Sequence, residues 1–563
     1  MKTRSRLDAW TAGAWLCALP ALAAPIGDPD LWWHLNAARW MVAQRAFPRV
    51  EAFSFTLPGT PWVDFEWLSQ LVLYAVHAGA GLAGLWALKL AALAAAGWAL
   101  SRALAAAPSA GGAQRRPGDG GPMAAVGASG RALALAFWAA VIIPRSDARP
   151  EMFSLAAFAW LFWRLEARGA GSDGERTRLP LVSFVFFALW ANLHAGFVYG
   201  LFLLGVYAVD EAAERRCRVP LLVLAAGVLG SCATPYGVRL PLMLWEHLRE
   251  AEGIQRLILE WAPLSLSRPG HWPSWLLLFG AGLAALAALL RGRPARPARL
   301  VTLAIFGLAA LRHARVLGAF ATLAVPFVAA AAAAHWGDLR PRLRAALDSR
   351  ALRASAMAAC GLWGLWLTWP AGTFLAVSHE QLLPVRAVRY LRAHPELRDL
   401  RLYHPWGWGG YLGYRLGPGT KVFQDGRYLF HGLLMEAGAA SRSPEGWQGF
   451  LDRHGVDAAL MENVPLFQET TRQYPDGTRR AFRRPFYLSF MPAGKWALVH
   501  WDDRGLLFVR RGVLAPERLA GLEYRLARPR DDEALADVLR RGEIDAALLE
   551  RERARHEAES QAL

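Results

Sequence analysis

Residues 9–35 read AWTAGAWLCALPALAAPIGDPDLWWHL, an apolar segment that leads directly into two closely spaced aspartates. The apolar part, from about Ala9 to Ile26, follows a short basic N-terminus and approaches the length that crosses a bilayer. Because positively charged flanks stay in the cytoplasm, the chain is predicted to leave the cell interior at this segment. The two aspartates, Asp28 and Asp30, are therefore expected on the extracytoplasmic side.

The same start is also typical of a secretory signal peptide, in which Ala21-Leu22-Ala23 would form the cleavage site. The sequence leaves this alternative open. Both interpretations place the residues that follow outside the cytoplasm, so the predicted topology of the rest of the chain is the same in either case.

The composition is typical of an integral membrane protein. Of the 563 residues 54% are hydrophobic, and the basic excess behind the net charge of +17 is almost entirely arginine. The arginines fall in short loops between apolar segments, which indicates membrane topology and argues against nucleic-acid binding. The four cysteines show no CxxC spacing, so neither a zinc site nor a disulfide framework is predicted.

Ten further segments have the composition of membrane spans, and basic clusters occupy every second loop between them. The segments lie near 82–101, 131–144, 152–166, 180–196, 197–211, 219–234, 273–290, 300–314, 316–334 and 355–374. The clusters lie within 102–131, 164–178, 215–218, 291–299 and 340–353, as expected of cytoplasmic loops. We therefore predict a polytopic α-helical membrane protein of about eleven transmembrane helices. The segments predicted outside are 28–81, 145–151, 192–196, 235–272 and 312–315.

Acidic residues and a histidine follow the first span. A helix that begins near Pro29 would place Asp30 and His34 on one face, with Asp28 just before it. Such a set could bind a divalent cation, Mg²⁺ or Mn²⁺, through oxygen and imidazole, or it could supply a general base. Alternatively, Asp28 caps the helix and Asp30 complements its dipole.

Further polar residues are predicted at the same outer face. Asp64 and Glu66 lie between tryptophans at the end of the first external loop, before a segment, 66–80, that is predicted to be an interfacial helix. The tryptophans are also explained by the aromatic belt of the membrane interface. Asn192 and His194 lie in the turn between two spans, where polar side chains are costly unless they line a cavity or cap the turn.

Two arginine clusters are predicted outside, against the usual charge bias of such loops. Arg145 and Arg149 flank Asp147, and they either pair with that aspartate or bind a phosphate. The second cluster lies between two spans and consists of Arg312, His313 and Arg315. It either extends towards water or binds a lipid phosphate. The recurrence of arginine on one face favours phosphate binding.

After about residue 375 the composition becomes that of a soluble α/β domain. We predict a membrane domain over 1–375, an extracytoplasmic α/β domain over 376–530 and a charged, solvated helical tail over 531–563. Helices are predicted at Val385–His394 and Glu445–His454. Strands are predicted at Leu400–His404, Lys421–Gln424, Ala458–Met461 and, as a hairpin, Trp496–Val499 with Leu506–Arg510.

Two motifs of the predicted external domain are rich in glycine. Residues 404–412 read HPWGWGGYL, and Asp425-Gly426-Arg427 follows a predicted strand. The first could contact the membrane surface or an acceptor saccharide, or it could form a tight structural turn. In the second, Asp425 and Arg427 could pair with each other.

This layout resembles the membrane glycosyltransferases of the C-type fold, which combine a short cytoplasmic start, one span and an Asp-x-Asp in a long first external loop. The motifs Asp30–Leu35, Trp62–Leu68, Trp406–Leu412 and Asp425–Arg427 are also similar to those of poorly characterised bacterial membrane proteins. The resemblance covers nearly the whole chain in layout but only the short loops in motif. The external domain lacks a Trp-Trp-Asp sequence, which argues against an oligosaccharyltransferase.

The resemblance implies a polyprenyl-phosphate-linked sugar donor and a saccharide, lipid or protein acceptor. Asp28 or Asp30 would deprotonate the acceptor hydroxyl in an inverting displacement, or would hold a metal ion together with His34. The groups implied for the leaving phosphate are Arg145, Arg149, Arg312, His313 and Arg315. Supporting or acceptor-side groups would be His34, Asp64, Glu66, Asn192 and His194.

Two other classes of function stay open, a transporter or flippase of a lipid-linked saccharide and a non-catalytic membrane scaffold. Transporters usually show internal repeats and polar sites near the middle of the membrane. Here the sequence shows no clear repeat, and its polar residues collect at one face, which favours the enzyme. We expect the inner membrane as the location, with a cytoplasmic N-terminus and an extracytoplasmic C-terminal domain.

Overall fold

The computed structural model describes residues 9–105, 126–167, 173–254, 258, 260–290, 296–336, 339–368, 378 and 382–563. The chain divides into two compact units. The helical unit consists of residues 1–28 and 63–378, and the α/β unit consists of residues 29–62 and 379–563. The basic N-terminus and the arginines between 106 and 125, all used in the topology prediction, lie outside the described residues.

Long helices make up the helical unit. They are α1 (Ala9–Leu22), α3 (Trp67–Ala105), α4 (Ala128–Ile142), α5 (Glu151–Glu166), α6 (Asp173–Leu193), α7 (Phe197–Arg215), α8 (Val219–Ser231), α9 (Arg239–Ile254), α10 (Trp272–Leu290), α11 (Pro297–Arg312), α12 (Leu317–His335), α13 (Pro341–Asp348) and α14 (Arg350–Thr368). Each predicted span overlaps one of these helices, whereas α9 and α13 were not predicted. Among the residues that the structure describes, four helical segments are long and apolar enough to cross a membrane, so the count of eleven spans stays a prediction.

Helix α3 is interrupted at Gly81, whose backbone has φ 59° and ψ −154°. This conformation suits glycine because it has no Cβ. The interruption separates residues 66–80, predicted as an interfacial helix, from the span predicted at 82–101. The predicted change of element at this point is therefore confirmed.

A four-stranded sheet organises the α/β unit, in the order β1-β2-β6-β5. Strands β1 (Leu402–Tyr403) and β2 (Ala458–Glu462) pair in parallel, while β6 (Gly505–Arg510) is antiparallel to both β2 and β5 (Trp496–Trp501). A separate two-stranded ribbon joins β3 (Phe467–Gln473) and β4 (Arg479–Pro485). The helices are α2 (Asp30–Gln44), α15 (Val385–Ala393), α16 (Gly409–Leu416), α17 (His431–Ala440), α18 (Pro444–Arg453), α19 (Tyr487–Phe490), α20 (Pro516–Leu522), α21 (Asp532–Arg540) and α22 (Ala546–Ala562).

Most predicted elements of this unit are confirmed, namely α15, α18, β1, β2 and the β5–β6 hairpin. The strand predicted at Lys421–Gln424 is not found, since Val422 forms only an isolated bridge with Ser54. The β3–β4 ribbon was missed because its strands are polar and largely exposed, which hides the alternation of a half-buried strand.

The predicted domain boundaries differ from the two units in two places. Residues 29–62 were assigned to the membrane domain, yet α2 packs on α16, with the rings of Trp32 and Tyr411 5.0 Å apart. The tail from 531 was predicted to be solvated. Instead, Glu552 of α22 is 5% exposed and accepts hydrogen bonds from the backbone N–H groups of residues 525–527. The tail is therefore an integral part of the α/β unit.

We expect His404 to make the α/β unit sensitive to acid. Burial lowers the pKa of this imidazole from 6.5 to about 4, and its Nε2 accepts the Phe423 N–H at 3.0 Å. Below pH 6.5 the unfolded chain binds a proton that the folded unit rejects, so stability falls with pH until both states are protonated. The expected loss from this residue is about 3 kcal/mol between pH 7 and pH 4.

Thermal melting of the purified protein across this pH range checks the expectation. His404→Gln keeps an acceptor but does not titrate, so its melting temperature should depend less on pH than that of the wild type. Parallel pH profiles of the two proteins would contradict the assignment.

Candidate functional site

Asp28 lies in a network of charged side chains within the helical unit. Its Oδ2 is 2.9 Å from Arg149 Nη1, and the same nitrogen pairs with Glu260. Arg145 pairs with Glu151 and, at 3.2 Å, with Glu260. This outer ionic network therefore joins the residues after α1, the α4–α5 connection and the loop before α10.

The local fold of the α4–α5 connection fixes this network. A short 3₁₀ turn, Ile143–Arg145, ends α4, and Glu151 occupies the first turn of α5, where its charge complements the helix dipole. Asp147 accepts hydrogen bonds from the Ala148 N–H and from the Gly27 N–H at 2.9 Å. The connection is thereby tied to the residue that precedes Asp28.

The arginines of the network are matched by carboxylates. Burial raises the pKa of Glu260, but Arg149, Arg145 and Arg315 outweigh burial and hold that pKa well below its usual range. Of the two interpretations of Arg145 and Arg149, the structure shows internal pairing. The partners are Asp28, Glu151 and Glu260, none of which is the expected Asp147.

The second arginine cluster differs from the first in its pairing. Within the described part of the chain neither Arg312 nor Arg315 forms an ion pair within 4.0 Å, and Arg312 is exposed. The Arg315 guanidinium lies 5.2 Å from the centre of the Trp261 ring, and His313 Nδ1 is 3.1 Å from the Trp261 carbonyl oxygen. In this cationic cluster of Arg312, His313 and Arg315, the two guanidinium groups therefore lack a directly paired carboxylate among the described residues, although Arg315 still acts on Glu260 from a greater distance.

Glu66 and His194 meet inside the helical unit. His194 Nδ1 accepts the Gly196 N–H at 3.0 Å and the Ser154 hydroxyl, whose oxygen is 2.8 Å away. A ring nitrogen that accepts hydrogen bonds carries no proton, so the proton of the neutral ring resides on Nε2. Nε2 lies 3.6 Å from Glu66 Oε1 and faces a carboxylate that is 7% exposed.

Asp64 makes a local hydrogen bond at the start of α3, whereas Asn192 links separate helices. Asp64 Oδ1 accepts from Gln70 Nε2 at 2.6 Å. The Asn192 side chain accepts from Trp67 Nε1 at 2.6 Å and donates to the carbonyl oxygens of Ala188 and Ala233. For Asn192 the structure shows the hydrogen bonds of a capped turn, and its predicted acceptor-side role stays a prediction.

Asp30 begins α2 in the α/β unit and lies against the Asp425-Gly426-Arg427 motif. A Cβ added to Gly426 would overlap Asp30 Oδ1 and would lie 2.7 Å from Asp30 Cγ. It would also lie 2.9 Å from Trp33 Nε1. This indole nitrogen is buried and has no hydrogen-bond partner among the described residues. The predicted pairing of Asp425 with Arg427 is confirmed, with Arg427 Nε 2.8 Å from Asp425 Oδ1.

The metal site predicted from Asp28, Asp30 and His34 finds no support in the described residues. Among them, no three His, Cys, Asp or Glu side chains form a group that could hold a metal ion. Asp28 contacts Arg149, Asp30 lies against Gly426, and His34 is buried with its ring 3.7 Å from that of Trp33.

Sequence reasoning undervalued two acidic residues. Neither Glu260 nor Glu151 is among the site residues predicted from the sequence. Both pair with buried or half-buried arginines. The unusual presence of arginine in the predicted external loop 145–151 was the only signal that partner carboxylates were needed, and it did not identify them.

No protein-family model and no curated protein matches the sequence. Among solved structures, the archaeal oligosaccharyltransferase AglB from Archaeoglobus fulgidus, in complex with an inhibitory peptide and a dolichol-phosphate, is similar with a TM-score of 0.54. The match covers 97% of this chain and 84% of that chain at 11% identity. An Archaeoglobus fulgidus oligosaccharyltransferase in complex with Zn and sulfate matches with a TM-score of 0.53, over 84% and 73% of the two chains at 11% identity.

ArnT from Cupriavidus metallidurans bound to undecaprenyl phosphate has a TM-score of 0.46, with 90% and 98% of the two chains covered at 14% identity. At such low identities a structural likeness shows the fold alone. The predicted resemblance is confirmed at this level, since one match spans nearly the whole chain. This chain has the C-type fold of the membrane glycosyltransferases that use polyprenyl phosphate.

Proposed function

We propose that this protein is a membrane glycosyltransferase that moves a sugar from a polyprenyl-phosphate donor to an extracytoplasmic saccharide, lipid or protein acceptor. The observation that supports the proposal is the cationic cluster of Arg312, His313 and Arg315 on a C-type fold, with neither arginine paired to a carboxylate within 4.0 Å among the described residues. The proposed location is the inner membrane, with the N-terminus in the cytoplasm and the α/β unit outside.

Asp30 is the proposed general base. The other candidate, Asp28, is an ion-pair partner of Arg149, with Oδ2 2.9 Å from Nη1. In the proposed reaction the acceptor hydroxyl gives its proton to Asp30, and its oxygen attacks the anomeric carbon. The bond from that carbon to the donor phosphate breaks with inversion, and polyprenyl phosphate leaves with the bonding electrons.

The cationic cluster is the proposed site of the leaving phosphate. Two guanidinium groups and an imidazole can stabilise the negative charge that develops as the phosphate departs. Arg145 and Arg149 are proposed to shape the site rather than to bind the donor, since their charges are already matched. Among the described residues, no group of His, Cys, Asp and Glu side chains fits a divalent cation, and the proposed reaction includes none.

We expect Arg315→Gln to raise the KM for the donor by about tenfold, as the loss of one charge-assisted hydrogen bond to phosphate predicts. The assay incubates detergent-purified protein with a panel of polyprenyl-phosphate sugars and measures released polyprenyl phosphate. Arg268→Gln, the same substitution in the loop that precedes α10, is the matched control. If both variants bind and cleave donor like the wild type, the cluster is not the phosphate site.

A transporter or flippase would give a different result in the same assay. It would bind the donor through the cationic cluster but release no polyprenyl phosphate, and Asp30→Asn would leave donor binding and translocation unchanged. A scaffold would bind no donor at all.

A further inference from the structure

The charged residues Glu51, Asp425 and Arg427 form a cluster that the proposed reaction does not use. Their side chains are 0%, 5% and 2% exposed. Arg427 makes two parallel hydrogen bonds of 2.8 Å to Asp425, through Nε and Nη2, while its Nη1 donates to Glu51. This buried triad joins the segment after α2 to the segment before α17.

The surroundings of the triad fix it on every side. The Arg427 guanidinium lies 4.9 Å from the ring centre of Phe53, 4.6 Å from Trp62 and 5.2 Å from Phe430. Glu51 Oε1 accepts the backbone N–H groups of residues 53 and 54, both at 2.6 Å. The Glu51 carboxylate is thereby stabilised both by backbone N–H groups and by Arg427, which also pairs with Asp425.

Such a triad is a poor device for stability alone. Desolvating charges is costly, and apolar residues of similar volume often stabilise a fold equally well or better. A bidentate arginine instead fixes the positions of its partners, because its planar N–H groups can donate to carboxylates in only a few arrangements. A defined position of this kind is useful when a neighbouring group must be held in one orientation.

Gly426 connects the triad to Asp30. It is the residue between Asp425 and Arg427, so both of its neighbours are anchored by the triad. Its missing side chain leaves the space in which the Asp30 carboxylate lies, and the Trp33 indole N–H borders the same space. A shift of the backbone at Gly426 would therefore be transmitted directly to the Asp30 carboxylate.

A second contact holds the first turn of α2 from the side of α16. A Cβ added to Gly410 would lie 2.6 Å from the Trp33 backbone nitrogen, so α16 and α2 approach closely here. The contact is independent of the triad, and it fixes the backbone of α2 but not the Asp30 carboxylate. Gly426, by contrast, borders the Asp30 carboxylate itself and limits the positions open to it.

We propose that Glu51, Asp425 and Arg427 are positioning residues that hold Gly426 against Asp30 and so orient the Asp30 carboxylate towards the acceptor hydroxyl. This role rests on the proposed glycosyl transfer. The triad contacts the reacting atoms only through Gly426 and Asp30. This positioning role gives a function to the Asp425-Gly426-Arg427 motif, which takes no direct part in the proposed reaction.

Gly426→Ala tests the proposal most directly. We expect kcat to fall by about 30- to 100-fold with little change in the donor KM, because small displacements of a reacting group have effects of that size. In an Asp30→Asn background the same substitution should reduce kcat by no more than about threefold, since groups that act as one unit are not additive. Gly432→Ala is the matched control, since an added Cβ there meets nothing within 4 Å.

Hydrogen exchange of the full-length protein supplies a readout that needs no substrate. Gly426→Ala and Arg427→Lys should both speed exchange in a peptide covering the first turns of α2, while a peptide covering α15 keeps its wild-type rate. Gly432→Ala should change neither peptide. Arg427→Lys keeps the charge but loses the planar fork, so its effect separates geometry from charge.

The outcomes separate this proposal from the proposed function. Faster exchange in α2 together with no transfer by the wild type from any donor would retain the positioning contact and reject glycosyl transfer. Unchanged exchange in α2, or a full 30-fold loss from Gly426→Ala in the Asp30→Asn background, would overturn the positioning role.

Discussion

Asp30→Asn is expected to lower the turnover of sugar transfer by about 10²- to 10⁴-fold, the range that a positioned general base contributes. Asparagine has nearly the same shape but cannot take the proton from the acceptor. Donor binding should persist, because the cationic cluster of Arg312, His313 and Arg315 is unchanged. The measurement is release of polyprenyl phosphate at saturating donor, with donor binding measured separately.

Asp28→Asn is the matched control for this substitution. It removes the charge that pairs with Arg149 at 2.9 Å, so we expect a lower melting temperature and a smaller loss of turnover than for Asp30→Asn. If Asp28→Asn abolishes transfer while Asp30→Asn remains active, the roles of the two aspartates are exchanged. If neither substitution lowers turnover, the base lies elsewhere.

Arg145→Met is expected to have the largest effect on stability within the helical unit. The side chain is 8% exposed and pairs with Glu151 and Glu260. Methionine removes the positive charge that pairs with Glu151 and leaves Glu260 with Arg149, and removing one partner of a buried pair costs about 3–5 kcal/mol. The melting temperature in detergent should fall clearly, and Arg145→Lys should recover part of the loss.

The control is Arg215→Met, which breaks an exposed ion pair between residues four apart on α7. Exposed pairs of this kind contribute about 0.3–0.5 kcal/mol. Its melting temperature should therefore stay close to that of the wild type. Equal decreases for Arg145→Met and Arg215→Met would show that the outer ionic network contributes no special stability.

The sequence was sufficient to locate most helices of both units. Apolar runs of bilayer length, separated by loops with turn residues and arginines, specify helices through local hydrophobicity, so every predicted span overlaps a helix. The same applies to β2 and the β5–β6 hairpin, whose apolar strands are buried. The polar β3–β4 ribbon and α9, which mixes charged and apolar residues, lack such an apolar run.

The sequence predicted which residues belong to the candidate site but not which of them contact each other. Asp28, Arg145 and Arg149 stood out because charged residues at a membrane boundary are costly and need a reason. Their pairing was not predictable from the loop that holds them. Arg149 pairs with Glu260, 111 residues away, rather than with its neighbour Asp147.

By itself, the sequence determined the helical segments, the alternation of basic and neutral loops, and the presence of acidic and basic residues at the ends of the helices. Those features follow from local composition and from the low dielectric of the bilayer. Only the tertiary structure decided which charges meet, that residues 29–62 belong to the α/β unit, and that Glu51 reaches Arg427 across 376 positions. The physical reason is that hydrophobicity acts on each segment locally, whereas an ion pair depends on atoms brought within about 4 Å by the packing of distant segments.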